Sequence, residues 1–240
     1  MKSKEHYYYR LAHFLEKFPG GRPILVYHKI GFPRLLSSRK GFWISPKLFS
    51  RQLAELRAAG FANRELDAEG GGAGVTITFD DGYVSAFSYA LETLREHRFL
   101  ATLFLVTAFL GKASFWDGDA ALLVGKAQVR EWLQAGHSIG AHTVNHVHLT
   151  QVTEAIAREE ITASRKFLED EFGVEVKHFC YPYGDWNRRI AELVAEAGYK
   201  TASTTVYGAN TGEADLFALK RIHAYVPLRS LSGLYYYLNR

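Results

Sequence analysis

"VTITFDDGY", residues 75–83, sets two adjacent aspartates and a glycine directly behind an apolar, β-branched run. Val, Thr, Ile and Thr in succession read as a buried strand, and Asp-Gly as the turn that ends it. The paired carboxylates are then either turn and helix-capping residues or groups doing chemistry at the end of a strand. Working outward, comparable runs occur at residues 23–28, 101–106, 137–141, 178–182, 199–204 and 216–222, which makes seven strands. Most are separated by segments of helical spacing: Phe49, Leu53 and Leu56; Val129, Trp132 and Leu133; Ala157, Ile161, Leu168 and Phe172; Ile190, Leu193, Val194 and Ala197. Ser45 before Pro46 suits a helix start, while Gly60, Gly136 and Gly198 stand where helices end. Strands alternating with helices imply βαβ units and a mainly parallel sheet, either open and doubly wound or closed into a barrel. In both, ligands bind at the carboxyl ends of the strands, where Asp80 and Asp81 stand.

The 240 residues, 48% of them hydrophobic, suit one large domain with a substantial core. The net charge of +4 is scattered along the chain with no basic arm, so no nucleic-acid partner is expected. Cys180 stands alone, which excludes an internal disulfide framework and a multi-cysteine metal site. No run approaches the roughly 18 apolar residues of a membrane span, and the start has no apolar core of signal-peptide type. The chain as given is therefore expected to be cytoplasmic, with export of a longer precursor as the alternative. Two apolar stripes, Tyr8, Leu11, Leu15 and Phe18 near the start and Leu231, Leu234, Tyr235 and Leu238 near the end, suggest terminal helices covering the barrel's underside or each other. Peripheral membrane contact or a dimer interface is the alternative use of those stripes, and the oligomeric state stays open. "GGGAG", residues 70–74, precedes a strand and lacks the Lys-Ser/Thr pair of a phosphate loop, so it reads as a connector.

"HTVNH" spaces His142 and His146 four apart, so that on a helical turn both imidazoles face one metal ion. Alone, such a pair is more often a set of surface or hydrogen-bonded histidines. Asp81 on a neighbouring strand end changes the weighing, because two imidazoles and a carboxylate with an open position make a catalytic metal site. Asp80 is then left beside the ion as a carboxylate able to accept a proton from water.

"TFDDGY", "HTVNH" and "YPYG", in that order, resemble the motifs of the polysaccharide deacetylase family, the NodB-homology or carbohydrate esterase family 4 domain. "LVYHKI", "SPKLFSRQLAELRAAGF" and "LKRI" are similar to other segments of that family, so the resemblance runs from about residue 23 to about residue 227. It implies a single distorted (β/α) barrel of about seven parallel strands; residues 23–240 are read as the catalytic domain and residues 1–22, from their apolar stripe, as an amphipathic helical segment packed on it. It also implies a divalent metal held by Asp81, His142 and His146, most often Zn2+, with Co2+, Ni2+ or Mn2+ as alternatives. Asp80 would be the general base, the Tyr183 N–H part of an oxyanion hole, and His223 the acid that protonates the leaving amine. The activity implied is removal of acetyl groups from N-acetylated oligo- or polysaccharides.

Two departures from the family's pattern carry expectations of their own. The arginine that usually opens the third motif and pairs with the base is replaced by Cys180 in "FCYPYG", so Asp80 is expected to lack a guanidinium partner and to titrate higher. The late tryptophan motif is missing, since no tryptophan follows Trp186. Trp43, Trp116 and Trp186 follow strand ends and are candidates for stacking on sugar rings, whereas Trp132 faces the core. Asp117 and Asp119, in the long 107–125 loop, are either sugar contacts or turn residues. His28 and His148 are further histidines expected near the same face. Two other functions stay in competition: hydrolysis of a non-sugar amide such as a cyclic ureide or imide, and carbohydrate binding by a pseudoenzyme.

Overall fold

The computed structural model of the protein describes residue 15 and residues 20–33, 42–68, 74–118 and 120–224. Its strands in chain order are β1 Ile24–Tyr27, β2 Lys29–Ile30, β3 Trp43–Ile44, β4 Ala62–Asn63, β5 Gly74–Phe79, β6 Thr102–Leu105, β7 Ser138–Ala141, β8 His178–Cys180, β9 Thr201–Tyr207 and β10 Leu219–His223. The helices are α1 Pro46–Ala58, α2 Val84–His97, α3 Lys126–Gln134, α4 Glu154–Phe172 and α5 Arg188–Glu196. β5 to β10 pair in sequence order, every pair parallel, and β1 bonds both β10 and β5, closing a barrel of seven strands. β4 adds a short edge to β5, and β2 and β3 pair apart from the barrel. All seven strands expected from the sequence are present, and the closed form is the one adopted.

Alternation along the strands divides the side chains between two environments. In β5, Val75, Ile77 and Phe79 point outward into the main hydrophobic cluster under the helices, and Thr76 and Thr78 point into the barrel. Ile24, Phe104, Cys180 and Leu219 form a second, smaller cluster inside the barrel, with Leu66 from the loop after β4 entering at the amino ends of the strands. Phe104 fills the middle of the barrel only because β7 offers Gly140 beside it, where a Cβ would sit 2.4 Å from the ring.

The helices form where their apolar positions meet the outer face of the sheet. Ser45 caps α1 by accepting the Leu48 N–H at 3.2 Å, and α1 then buries Phe49, Leu53 and Leu56. Each such side chain contributes about 1.5–3 kcal/mol through burial. Trp132 in α3 is fully buried, its Nε1 donating to the Ser138 carbonyl at 2.9 Å. Among the described residues no helix is long and apolar enough to cross a membrane. Of the terminal stripes, only Leu15 is described, and it is buried against the main cluster. Tyr8, Leu11 and Phe18, the stripe over 231–238, Asp119 and most of the glycine run lie outside the described residues.

Candidate active site

Asp80 and Asp81 leave β5 at the carboxyl mouth of the barrel, and the backbone there is unusual. Six non-glycine residues among those described have positive φ, and four of them surround this mouth: Asp81 (70°), Thr143 (67°), His146 (58°) and Tyr183 (60°). Such conformations cost free energy and persist where surrounding contacts over-determine them. A cleft of about 310 Å³ opens here, with Asp80, Asp81, His142, His146 and His223 on its floor and Phe42, Trp116, Tyr181 and Tyr183 among its walls.

His142 continues β7, and His146 follows four residues later, not on a helical turn as expected but in a loop. The left-handed residues Thr143 and His146 fold that loop back, the Thr143 hydroxyl accepting the His146 N–H at 2.9 Å. Glu160, buried in α4, holds it by accepting the Val144 and Asn145 N–H groups, each at 2.8 Å, and the Asn145 side-chain amide at 2.6 Å. Asp81 Oδ1 then lies 3.2 Å from His142 Nε2 and 3.1 Å from His146 Nε2, with all three side chains buried.

The donor set fits a divalent cation. His142 Nδ1 bonds the Cys180 carbonyl at 2.7 Å, which fixes the ring and directs Nε2 at Asp81, the arrangement that orients metal-ligating imidazoles. Burial raises the Asp81 carboxyl, but the hydrogen bonds and charge of the two imidazoles outweigh it and hold the group well below its ordinary range. His142 moves the opposite way: burial lowers it, and Cys180 and Asp81 then carry it well above the usual imidazole value. His146 is lowered by burial and so is available as a neutral ligand. A site in which the carboxylate favours its charge and a neighbouring imidazole favours a proton is one that attracts a positive ion.

Charge compensation around this cluster is uneven. Asp80 is paired by Arg221 of β10, whose Nη1 and Nη2 donate to its two oxygens at 2.7 and 2.6 Å, with the Arg221 side chain fully buried. Burial raises Asp80, and Arg221, by charge and then by hydrogen bonds, reverses the shift and leaves the carboxyl below its ordinary value. Asp117 is paired by the buried Lys29. Among the described residues Asp81 is paired by the two imidazoles and by no lysine or arginine, so a cation held there meets a carboxylate whose charge is not already neutralised by one.

The guanidinium corrects a sequence expectation. Asp80 does not lack an arginine partner and does not titrate high; the partner arrives from a different strand. Cys180 Sγ lies 3.2 Å from Arg221 Nη2, so an arginine at position 180 and one at 221 would compete for the same space, and the small residue makes room. Burial raises the Cys180 thiol, which keeps it protonated and packed as a small side chain. The signal was in "LKRIH": alternation sends Leu219, Arg221 and His223 to the inside of the barrel, and a fully buried arginine requires a carboxylate. A register shift between β9 and β10 around these residues brings the Thr204 carbonyl to Arg221 Nε at 2.8 Å.

The other expected residues divide between the cleft and its surroundings. Tyr183 stands on the rim, its ring stacked at 3.8 Å on His148, which in turn approaches Asp185 at 3.5 Å. Gly184 behind it is a glycine of necessity, since at φ 70° a Cβ would come within 1.9 Å of the Thr205 hydroxyl. His223 lines the cleft, and burial, then His28 and Arg221, hold it down at about 4. His28 lies 3.9 Å from Asp80 and stacks on Phe42. Trp116 lines the cleft and lies flat on His146 at 4.2 Å and 11°. Trp43 instead faces the Lys29 ammonium at 5.4 Å, and Trp186 stacks on Tyr181 at 6.1 Å; neither is in the cleft lining. Asp117 also lines the cleft, its carboxylate engaged by Lys29 and by the Tyr83 hydroxyl at 2.6 Å. Glu160 and Phe42 carry site geometry outside every quoted segment, and Arg221 and Lys29, though within "LKRI" and "LVYHKI", had no role read for them.

Fold and site together define a closed parallel (β/α) barrel whose carboxyl mouth carries a buried Asp-His-His cluster beside an arginine-paired aspartate. The profile of the polysaccharide deacetylase family matches residues 67–202, more than half of the sequence, and the chain belongs to that family. A Bacillus subtilis protein named for the same family, YxkH, is 27% identical over 213 residues, a match spanning 85% of this chain and 71% of that one. A chitooligosaccharide deacetylase of Azorhizobium caulinodans is 32% identical over 134 residues, 55% of this chain and 58% of the relative. Among solved structures, the Streptococcus pyogenes deacetylase PplD in complex with acetate superposes with a TM-score of 0.73 at 26% identity, covering 92% of this chain and 100% of that one.

Proposed function

We propose that the protein is a metal-dependent hydrolase that removes acetyl groups from N-acetylated sugar units of an oligo- or polysaccharide. The observation that carries this reading is the side-by-side pair Asp80 and Asp81: one is held ionised by Arg221, and the other is left facing two imidazoles. Asp81, His142 and His146 would hold the ion, Zn2+ being the expected species. A divalent ion there supplies Lewis acidity for a carbonyl oxygen and acidifies water. Asp80, buried, ionised and fixed by two hydrogen bonds, accepts the proton of the water that attacks the acetyl carbon. Negative charge then develops on the acetyl oxygen, and the Tyr183 N–H is assigned to receive it, a donor of a kind typically worth about 3 kcal/mol. His223 is assigned to the leaving amine. With its pKa at about 4 it starts neutral, so it can serve only if negative charge gathering on the reacting group draws a proton to it.

The wall of the cleft supports a sugar as substrate. Trp116, Tyr183 and Phe42 bring aromatic side chains around the carboxylates, and pyranose rings present apolar CH faces to such walls. The relative named a chitooligosaccharide deacetylase supports a sugar oligomer as the acetylated substrate.

The test is acetate release from a panel of N- and O-acetylated oligosaccharides, by protein stripped with a chelator, protein restored with Zn2+, and the Asp80→Asn variant. Activity that requires the metal and falls about 10²–10⁴-fold in Asp80→Asn is expected. Bound metal with no acetate from any acetylated sugar overturns the reading in favour of a different amide or of carbohydrate binding alone.

A further inference from the structure

Trp116 lies flat against the metal-facing His146 and packs against the main hydrophobic cluster, with no polar bond of its own to fix it. Among the described residues its Nε1 is buried without a hydrogen-bond partner. Its other ring contacts are edge-on, with Phe109 at 5.4 Å and Phe115 at 5.3 Å, and Phe115 is itself 64% exposed on the same loop. The loop closes on itself through the Ser114 N–H to the Ala121 carbonyl at 2.9 Å and the Ala113–Leu122 bridge. Its two ends are tied to the barrel by backbone bonds, Ala108 N–H to the Val144 carbonyl at 3.0 Å and Val84 N–H to the Leu122 carbonyl at 2.9 Å, while beside Trp116 the link is made by the side chain of the next residue. Asp117 accepts from Ser114 Oγ at 3.1 Å within the loop, from the Tyr83 hydroxyl at 2.6 Å, and from the Lys29 ammonium. Lys29 is fully buried between the rings of Tyr83 at 4.4 Å and Trp43 at 5.4 Å.

Asp117 to Trp116 to His146 therefore runs from the partner of a buried cation to one residue of the ligand set. Without Lys29, Asp117 would be a buried carboxylate lacking its cation and pulled toward solvent.

We propose that Lys29 and Asp117 are positioning residues for the metal site: their buried ion pair pins residues 114–117 so that Trp116 packs on His146. The proposal rests on the metal-site reading of Asp81, His142 and His146 and extends it to residues that touch neither metal nor substrate.

Lys29→Met and Asp117→Asn are compared with the wild-type chain by Zn2+ affinity, by the visible absorption of the Co2+-loaded protein, and by kcat and KM. Asp117→Asn keeps an oxygen for Tyr83 and Ser114, so it carries the test if Lys29→Met does not fold. The expected result is a Zn2+ affinity weakened about tenfold or more in folded protein, with altered Co2+ bands and a fall in kcat larger than any rise in KM. A pair that merely stabilises the loop would lower the melting temperature without moving the affinity or the bands. Zn2+ affinity within twofold of wild type and unchanged Co2+ bands in folded Asp117→Asn overturn the proposal. Both readings are taken without substrate, so failure to find a deacetylated product would leave this result standing.

Discussion

Asp81, His142 and His146 at the carboxyl mouth, and Glu65, Asp67 and His178 at the opposite mouth, are built from the same kinds of side chain, with donor atoms lying within 4.8 Å of one another in each group. At the carboxyl mouth all three residues are buried, whereas at the floor Glu65 is exposed and Asp67 half-buried. At the mouth, the neighbouring carboxylates Asp80 and Asp117 already have Arg221 and Lys29 as partners. At the floor, burial opposes a positive charge on His178; Asp67 favours it, but Lys177 and Lys200 stand beside it and oppose it again. His142 and His146 direct Nε2 at one carboxylate oxygen, whereas His178 turns its Nδ1 to the Thr201 hydroxyl at 3.0 Å. Proximity of ligand-type atoms therefore does not make a metal site. Burial and a shared focus on one carboxylate favour a cation, and of these two groups the mouth combines them.

The largest effect should come from breaking that focus. Asp81→Asn is expected to reduce bound metal from about one ion per chain to none and to lower acetate release by about 10³-fold or more, since a catalytic metal contributes several kcal/mol. Asp67→Asn, the same change at the floor, should alter neither. Metal analysis by mass spectrometry on both variants checks this, and a second equivalent lost in Asp67→Asn would make the two mouths alike.

Arg221→Met comes next. It leaves Asp80 buried without its guanidinium, so a destabilisation of about 3–5 kcal/mol is expected by denaturant unfolding at neutral pH. The sign of the pH effect follows from the same pair. Arg221 holds Asp80 below its ordinary value against burial, so its removal raises the Asp80 pKa, and the acidic limb of kcat/KM moves to higher pH. An unmoved limb would detach Asp80 from the proton transfer.

How far the sequence exposes these two mouths differs for a physical reason. The carboxyl mouth is announced because its residues are local: Asp80 with Asp81, His142 near His146, and Tyr183 before Gly184 are each set by a few consecutive positions. The seven strands are legible because β-branched runs and helix punctuation are local too. What escapes is whatever depends on two distant strands closing into a barrel. Arg221 reaches Asp80 across 141 positions, and Lys29 reaches Asp117 across 88. The helical turn expected for His142 and His146 fails because Glu160, in α4, binds the backbone of that loop in another shape. Tryptophans prove weak guides, since a ring after a strand end can face the cleft, as Trp116 does, or a buried lysine, as Trp43 does.

A moderate effect is expected at the floor plug. Leu66, 2% exposed, closes the amino end of the barrel against Ile24, Phe104, Cys180 and Leu219. Leu66→Ala should cost about 2–5 kcal/mol of stability through lost burial and the cavity left behind. Metal content should stay unchanged, which urea unfolding and metal analysis on the same preparation can show. Loss of metal would mean that floor and mouth are mechanically coupled through the barrel interior.

The smallest change separates the two imidazole environments most finely. His178 is lowered to about 4 by burial, with Lys177 and Lys200 adding to the shift, Asp67 and Glu175 opposing it, and its ring bonded to Thr201. A histidine whose folded pKa lies below its unfolded value contributes stability above the unfolded pKa and loses it as pH falls toward the folded one. The window here runs from roughly 6.5 down to about 4. His178→Gln should thus cost about 1 kcal/mol at neutral pH, where a hydrogen bond to Thr201 is lost. Near pH 5 the variant should recover roughly 2 kcal/mol relative to wild type, because no imidazole is left to resist protonation. Melting temperatures of the two proteins plotted against pH should cross within that window, at unchanged metal content. Parallel curves would mean that His178 is not a buried neutral imidazole, and the contrast between the two mouths would then rest on the exposure of Glu65 and Asp67 alone.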